Sequence, residues 1–173
     1  MDEQKKMALR QRALELAKEP FHESPTEESD LYLVFTLGSE LYAIEAAYVR
    51  EVYPLKRITP VPCTPTFILG IVNLRGQILS VVDVRELLRV RDTSIPDSAK
   101  IAVLFTSDVE VAVVIDNVIG IRTFSSRDLV NDSSLPQTEG IEYVSGVTRD
   151  RIVILDAEKL LAADRMIVNE EVT

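Results

Sequence analysis

The 173-residue sequence contains few of the side chains on which enzymes and metal sites most often depend. It has one cysteine, Cys63, and one histidine, His22. A single thiol excludes a disulfide within the chain and a thiolate metal cluster, and it favours a reducing compartment. His22 lies in a segment rich in proline and glutamate, so Cys63 has no histidine base in the folded part. We interpret His22 as a solvated linker residue and Cys63 as a small side chain that fills a loop.

Glycine and long apolar runs are also scarce. The sequence has six glycines and lacks a Walker A sequence, a dinucleotide-type glycine fingerprint and zinc-ligand spacing, which excludes the commonest phosphate and zinc motifs. It has no run of about 18 apolar residues, and its charged start, Met1 to Lys6, lacks the apolar stretch of a signal peptide. We therefore predict a cytoplasmic protein without direct membrane insertion.

Positive charge is in deficit. The chain has 19 basic and 28 acidic residues, a net charge of −9. Its summed field repels phosphate backbones and anionic lipid surfaces. We therefore expect no nucleic-acid partner.

From residue 31 onward the sequence is dominated by short β-branched and aromatic runs separated by turn residues. This texture predicts an all-β protein rather than an alternating β-α fold. Pairs of such runs flank short turns, which predicts a series of hairpins. The predicted strand pairs are Leu31–Leu37 with Leu41–Glu45, Ile68–Leu74 with Gln77–Val82, Ile101–Thr106 with Glu110–Ile115, and Glu142–Thr148 with Ile152–Leu155.

The chain divides into three predicted regions. Residues 1–30 form a helical or flexible N-terminal extension, with a helix over residues 2–19 followed by a linker from Pro20 to Asp30. Residues 31–162 form the folded domain, and residues 163–173 form a C-terminal tail.

Two stretches of the domain follow the same order of elements. A strand, a hairpin and a second strand precede Asp83 and the segment Val84–Leu88, and a similar series precedes Asp156 and Ala157–Leu161. Each aspartate is a predicted N-cap of a short helix. The repetition predicts two similar small barrels made by an internal repeat.

Aspartates at strand ends are the remaining candidates for chemistry. Asp83, Asp116 and Asp156 could form an acid–base pair or a divalent-metal cage. The alternative interpretation is structural, since two of them cap predicted helices and Asp116 ends a strand. We favour the structural interpretation and predict no catalytic, metal or cofactor site. A carboxylate-metal enzyme is kept as an alternative.

Specific motifs of the domain resemble the CheW family. They include Phe67-Ile68-Leu69-Gly70, Asn73-Leu74-Arg75-Gly76 and Val81-Val82-Asp83-Val84-Arg85. The similarity runs in matching order through residues 31–162. It implies two intertwined SH3-like five-stranded β-barrels and a non-catalytic adaptor that uses no cofactor.

The resemblance also implies partners. CheW-type proteins bridge the cytoplasmic hairpin tip of a chemoreceptor and the regulatory domain of a CheA-type histidine kinase. Such an adaptor would be recruited to receptor arrays at the inner face of the membrane, where like barrels stack end to end into rings. A scaffold of a non-flagellar array, with pili, development or second-messenger output, is the alternative within the same class.

The family's receptor-contact positions match Val49, Glu51, Leu74 and Arg75. Val49 and Leu74 would supply apolar anchors for a receptor helix, whereas Arg75 and Glu51 would set its register. An alternative is that Arg75 pairs with Glu51 within the fold. For kinase contact we predict a barrel end in the loop from Ser126 to Thr138. Its apolar residues Leu129, Val130 and Leu135 have no obvious role in a β-domain loop.

Overall fold

The computed structural model describes residues 3–8, 10, 28–130 and 140–162. β-Strands dominate the described residues, which confirms the predicted fold class. The strand bounds are Asp30–Leu37 (β1), Glu40–Glu45 (β2), Val49–Pro54 (β3), Ile68–Leu74 (β4), Gln77–Val82 (β5), Lys100–Phe105 (β6), Glu110–Ile115 (β7), Asn117–Phe124 (β8), Leu129–Val130 (β9), Val144–Thr148 (β10) and Ile152–Leu155 (β11). Short 3-10 helices span Ala46–Tyr48, Ser126–Asp128 and Ile141–Tyr143, and an α-helix spans Ala157–Ala162.

The strands form two sheets, consistent with two SH3-like subdomains. Sheet 1 has six strands in the order β8-β1-β2-β11-β10-β9, and sheet 2 has five in the order β3-β6-β7-β5-β4. The predicted count of five per barrel holds for sheet 2. Sheet 1 has a sixth strand because the two-residue β9 pairs with β10.

Strand order shows the internal repeat directly. Strands β1 to β5 correspond in sequence order to β6, β7, β8, β10 and β11. With the strands of each repeat numbered one to five in this way, and with β9 set aside, both sheets have the order 3-1-2-5-4. In each sheet, strands one and two come from one repeat and strands three to five from the other. The two barrels are therefore intertwined.

Irregularities in strand pairing recur at equivalent places. The β3–β6 register shifts between Val49 and Glu51. The β1–β8 register shifts between Val118 and Gly120, which occupy the equivalent positions in β8. The β4–β5 register shifts at Gly70, and the β10–β11 register shifts at Gly146. A parallel pairing also occurs once in each sheet, between β5 and β7 and between β11 and β2. These shared details confirm the repeat inferred from sequence.

The largest hydrophobic core lies between the two sheets. Strand β1 sends Leu33 and Phe35 into this shared core, and it sends Val34 into a smaller cluster within sheet 1. Its counterpart β6 alternates in the same way between the shared core and a cluster within sheet 2. Both faces of these strands are thus buried, which explains why they read as continuous apolar runs.

Two local predictions were wrong. Residues 84–88 form turns rather than a helix, because the Arg85 side chain is fully buried and pairs with Asp83 and Asp116 instead of facing solvent. The strand predicted over Glu142–Thr148 begins at Val144, since Ile141–Tyr143 forms a 3-10 helix. The helix after Asp156 is confirmed, and the Asp156 Oδ1 atom accepts a hydrogen bond from the Lys159 backbone N–H at 3.0 Å.

The predicted N-terminal helix is described only in part. Residues 3–8 and 10 are helical, whereas the rest of that prediction, His22 and residues 163–173 lie outside the described residues. The division into three regions therefore stays a prediction.

Gly70 lies where the barrel of sheet 2 closes. The chain after β3 returns to β4, and Thr59 and Ile71 exchange two backbone hydrogen bonds of 2.9 and 2.8 Å. Gly70 has a φ of 146°, and a Cβ atom there would overlap the Thr59 carbonyl oxygen and lie 2.8 Å from Ile58 Cγ2. Gly120 has a similar φ of 153°, but nothing lies within 4 Å of its Cβ position.

We predict that Gly70→Ala lowers the free energy of unfolding by about 2–4 kcal/mol, because it adds a steric clash to backbone strain. Gly120→Ala is the matched control, since it introduces the strain alone and costs about 1–2 kcal/mol. Urea denaturation of both variants measures the difference. Equal losses of stability would contradict close packing of Thr59 on Gly70.

Candidate binding surface

The β4–β5 hairpin ends in a two-residue turn that presents an arginine to solvent. Arg75 and Gly76 have φ angles of 53° and 85°, the combination of positive values that such hairpin turns require. The Asn73 Oδ1 atom accepts a hydrogen bond of 2.9 Å from the Gly76 N–H and fixes the turn. The side chain of Arg75 is 75% exposed. The backbone thus holds Arg75 at a defined position while leaving its guanidinium accessible.

Glu51, Tyr53 and Arg75 form a polar cluster, here called the Glu51 clasp. Arg75 Nη1 lies 3.2 Å from Glu51 Oε1, and the Arg75 guanidinium lies 5.7 Å from the centre of the Tyr53 ring. The Tyr53 hydroxyl donates a hydrogen bond to Glu51 Oε2. Because the ion pair is largely solvated, it contributes at most about 1 kcal/mol to stability. Its main effect is to join the hairpin tip to β3.

Val49 and Leu74 lie near the clasp and are half-buried. Val49 packs against the core shared by the two sheets, whereas Leu74 packs against the cluster within sheet 2. Only part of each side chain is therefore available to a partner.

Tyr48 fastens the start of β3 to the rest of the fold. Its hydroxyl donates a hydrogen bond of 2.7 Å to Glu158 Oε1 on the helix Ala157–Ala162. This bond to a carboxylate, with a contribution from burial, raises the pKa of Tyr48 to about 12. The first residues of β3 are thus held independently of the Glu51 clasp.

A second candidate surface lies at the end of the sheet 1 barrel, around β9. Leu129 is half-buried, packs against the small cluster within sheet 1 and covers Gly146, whereas Val130 is 38% exposed. Leu135 lies outside the described residues. Leu129 thus has a structural role at this end of the barrel, which explains why an apolar residue occurs in this segment.

A cavity of about 480 Å³ opens beside Leu129. The rings of Tyr32 and Phe124, whose centroids are 5.5 Å apart, form its aromatic wall, and Glu28 and Asp30 add acidic groups at its rim. Burial raises the pKa of Tyr32, and the negative charges of Glu45 and Asp30 raise it further. The end of this barrel is therefore partly apolar and negatively charged.

Comparison with known proteins identifies the family. Residues 31–165 match the family model of the CheW-like domain. The chain therefore belongs to the CheW-like domain family. It is 31% identical over 144 residues to the chemotaxis protein CheW of Klebsiella aerogenes, with 82% of this chain and 87% of the relative covered. It is 25% identical over 147 residues to the chemotaxis protein CheW of Treponema pallidum, with coverage of 81% and 86%.

A solved structure agrees with this assignment. The crystal structure of the scaffolding protein TtCheW from Thermoanaerobacter tengcongensis superposes with a TM-score of 0.66 at 26% identity. The match covers 75% of this chain and 90% of that one. The two-sheet architecture of the CheW-like chain is thus also found in a scaffolding protein.

In the CheW-like chain, four residues predicted for receptor contact come from two separate segments. Val49 and Glu51 lie on β3, whereas Leu74 and Arg75 lie at the end of β4 and at the hairpin tip. The Glu51–Arg75 pair, foreseen as an alternative, connects the two segments. The structure therefore brings all four to one end of sheet 2.

Tyr53 was missed by the sequence reasoning. Tyr53 lies two residues after Glu51, beyond the register shift, so strand alternation alone places both side chains on one face of β3. The pair of adjacent charges Arg50-Glu51 was the available clue, because one extra residue in a strand lets both charges avoid the core.

The three aspartates considered for metal binding or acid–base chemistry have structural partners: Asp83 and Asp116 share Arg85, and Asp156 binds a backbone N–H. Asp83 Oδ1 lies 3.1 Å from Arg85 Nη1, and Asp116 Oδ1 accepts a hydrogen bond from Arg85 Nη2. Asp116 Oδ2 also accepts a hydrogen bond of 2.7 Å from the Gly38 N–H. Asp156 caps a helix, as described above. A guanidinium thus takes the place that a cation would need between Asp83 and Asp116.

Three further sequence-based expectations concern Cys63, metal binding and membrane insertion. Cys63 is exposed, so the prediction that it fills a loop was wrong. Within residues 3–8, 10, 28–130 and 140–162, no group of three or more His, Cys, Asp and Glu side chains is placed to hold a metal ion. No helix in the same part of the chain is long and apolar enough to cross a membrane.

We predict that Arg85→Met lowers the free energy of unfolding by about 3–5 kcal/mol, because it leaves Asp83 and Asp116 without their buried cation. Arg91→Met, which changes an exposed arginine, is the matched control and is expected to cost less than about 0.5 kcal/mol. Chemical denaturation of the two variants provides the measurement. A loss for Arg85→Met no larger than that of the control would show that the buried ion pairs do not hold the fold.

Proposed function

We propose that this CheW-like protein is a non-catalytic cytoplasmic adaptor that couples chemoreceptors to a CheA-type histidine kinase. The Glu51 clasp is the observation that carries the proposal. It joins β3 to a hairpin tip whose backbone is fixed, beside the half-buried apolar residues Val49 and Leu74. This combination suits a helix laid against an apolar strip, with charged groups beside it that set register.

The receptor's cytoplasmic hairpin tip is the proposed occupant of this surface. Val49 and Leu74 would contact the apolar side of the receptor helix, and Arg75 would contact a carboxylate or a backbone carbonyl. Glu51 would keep Arg75 in place until the receptor binds. Since the ion pair is exposed, exchanging Glu51 for a receptor group costs little free energy.

The regulatory domain of the kinase is proposed to bind the end of the sheet 1 barrel. Exposed Val130, the aromatic wall beside Leu129 and the segment that contains Leu135 would form this contact. The relatives named chemotaxis protein CheW and the scaffolding protein TtCheW support a role in assembly rather than in a reaction. Contacts of this kind at barrel ends would extend like barrels into rings within a receptor array.

We predict that Arg75→Ala weakens receptor binding about fivefold to tenfold, because it removes the exposed charge at the hairpin tip. The free energy of unfolding should change by less than about 1 kcal/mol. Co-sedimentation with receptor-containing membranes, with and without the kinase, measures the effect. Arg149→Ala is the matched control, since it removes an exposed arginine from the tip of the corresponding β10–β11 hairpin. Unchanged receptor binding by Arg75→Ala would refute the receptor surface.

We predict that Val130→Asp weakens kinase binding at least about tenfold, because it places a charge in an apolar contact. Receptor binding by the same variant should equal that of the wild type, since Val130 lies in the other sheet from the Glu51 clasp. Calorimetric titration with the isolated kinase regulatory domain checks the first expectation, and membrane co-sedimentation checks the second. Equal loss of both activities would point to misfolding or to a shared surface and would count against the division proposed here.

A further inference from the structure

Glu110, the first residue of β7, binds two segments of the proposed receptor surface at once. Gln77 Nε2 donates a hydrogen bond of 2.9 Å to Glu110 Oε2, and Arg50 Nε lies 3.3 Å from Glu110 Oε1. Each carboxylate oxygen therefore has its own partner. The Arg50 and Glu110 side chains are 50% and 19% exposed, so their ion pair is better shielded from water than the Arg75–Glu51 pair, in which Arg75 is 75% and Glu51 is 40% exposed.

The topology of sheet 2 explains why these residues meet. Strands β5 and β7 are parallel, with Val81 opposite Ala112, so Gln77 and Glu110 begin neighbouring strands at the same end of the sheet. On the other side, Glu110 is opposite Phe105 of β6.

Arg50 reaches Glu110 because β3 bulges at this end of the sheet. The register shift between Val49 and Glu51 lets the Arg50 side chain lie over the Phe105 ring, 4.7 Å from its centre. The ring therefore supports the guanidinium beside the Glu110 carboxylate, and Arg50 is held from two directions.

Both partners of Glu110 lie next to residues of the proposed surface. Arg50 stands between Val49 and Glu51, and Gln77 follows the Arg75-Gly76 turn directly. The Glu51 clasp connects the same two segments on the solvent side, but Arg75 must be free to contact a receptor. When the clasp opens, the Glu110 contacts still connect β3 to the hairpin.

We propose that Glu110 is a positioning residue for receptor binding: it sets the separation between β3 and the β4–β5 hairpin tip and keeps that separation when Arg75 engages a partner. This inference rests on the proposed function. Glu110 would not touch the receptor. Its contribution is preorganisation, since a receptor helix would otherwise have to order the two segments as it binds.

The first test is Glu110→Ala. We expect receptor binding to weaken about threefold to tenfold, while binding of the kinase regulatory domain and the unfolding midpoint stay close to those of the wild type. Asp108→Ala is the matched control, because it removes an exposed carboxylate two positions away and makes the same change in net charge. Equal receptor affinities for the two variants would overturn the proposal.

A double-mutant cycle separates positioning from a general loss of stability. Glu110→Ala and Gln77→Ala should be non-additive, since either change breaks the tie to the hairpin. Additive effects on receptor affinity would overturn the proposal. Should Glu110→Ala fail to fold, Glu110→Gln serves instead. The new amide oxygen still accepts a hydrogen bond from Gln77, but the charge that faces Arg50 is lost. We expect this variant to lose less receptor affinity than Glu110→Ala, and wild-type affinity would count against the positioning role.

A charge exchange provides the rescue. In the double variant Arg50→Glu with Glu110→Arg, the new arginine can pair with the new glutamate and donate to Gln77 Oε1. Receptor affinity should therefore recover most of what Glu110→Arg alone loses, and no recovery would overturn the proposal. Arg75→Ala, measured alongside, distinguishes the two levels of inference. Loss with Arg75→Ala but not with Glu110→Ala refutes only the positioning role, whereas no loss with Arg75→Ala refutes the receptor surface itself.

Discussion

The buried guanidinium of Arg85 connects the places where the chain passes between the two sheets. Its partner Asp116 links β7 of sheet 2 to β8 of sheet 1, and the same carboxylate accepts a hydrogen bond from Gly38 in the β1–β2 turn. The Asp116 N–H donates to the Thr36 carbonyl at 3.0 Å. A charge removed from water must have partners of opposite charge, so this cluster fixes how the strands cross between barrels.

The repeat uses a different interaction at the equivalent point. Arg85 and Glu158 each lie two residues after an aspartate that follows the last strand of a repeat. Glu158 accepts the hydrogen bond from Tyr48, which lies between β2 and β3. Arg85 instead pairs with Asp116, which lies at the equivalent point between β7 and β8. The Arg85–Asp116 junction is therefore a buried ion pair, whereas the Tyr48–Glu158 junction is an exposed hydrogen bond between a neutral hydroxyl and a carboxylate. The Glu51 clasp and the Glu110 contacts each include a β3 residue, Glu51 and Arg50 respectively, and β3 follows the exposed junction.

Much of the fold could be predicted from the sequence because its signals are local. The strands Ile68–Leu74, Gln77–Val82, Glu110–Ile115 and Ile152–Leu155 were predicted with the bounds that the structure gives. Burial on both faces makes such strands continuous apolar runs, and turn residues mark their ends. The order of these runs was also enough to reveal the repeat.

The errors and omissions have a non-local cause. Arg85 in a leucine-rich segment is typical of an exposed helix position, and its burial depends on Asp116, 31 residues later, as well as on the neighbouring Asp83. The joint contact of Glu110 with Arg50 and Gln77 depends on a strand bulge and a parallel pairing, which no short motif encodes. For the candidate surface, the resemblance predicted four positions, and the structure shows the contacts between the two segments that carry them.

The exchange of strands has a consequence for how this chain can be divided. Each barrel takes strands one and two from one repeat and strands three to five from the other. A cut in the segment between β5 and β6 would therefore leave neither fragment with a complete barrel. Either fragment alone would leave apolar strand faces uncovered and sheet edges unpaired. The two repeats are therefore interlocked within one chain, and each needs strands of the other to complete a barrel.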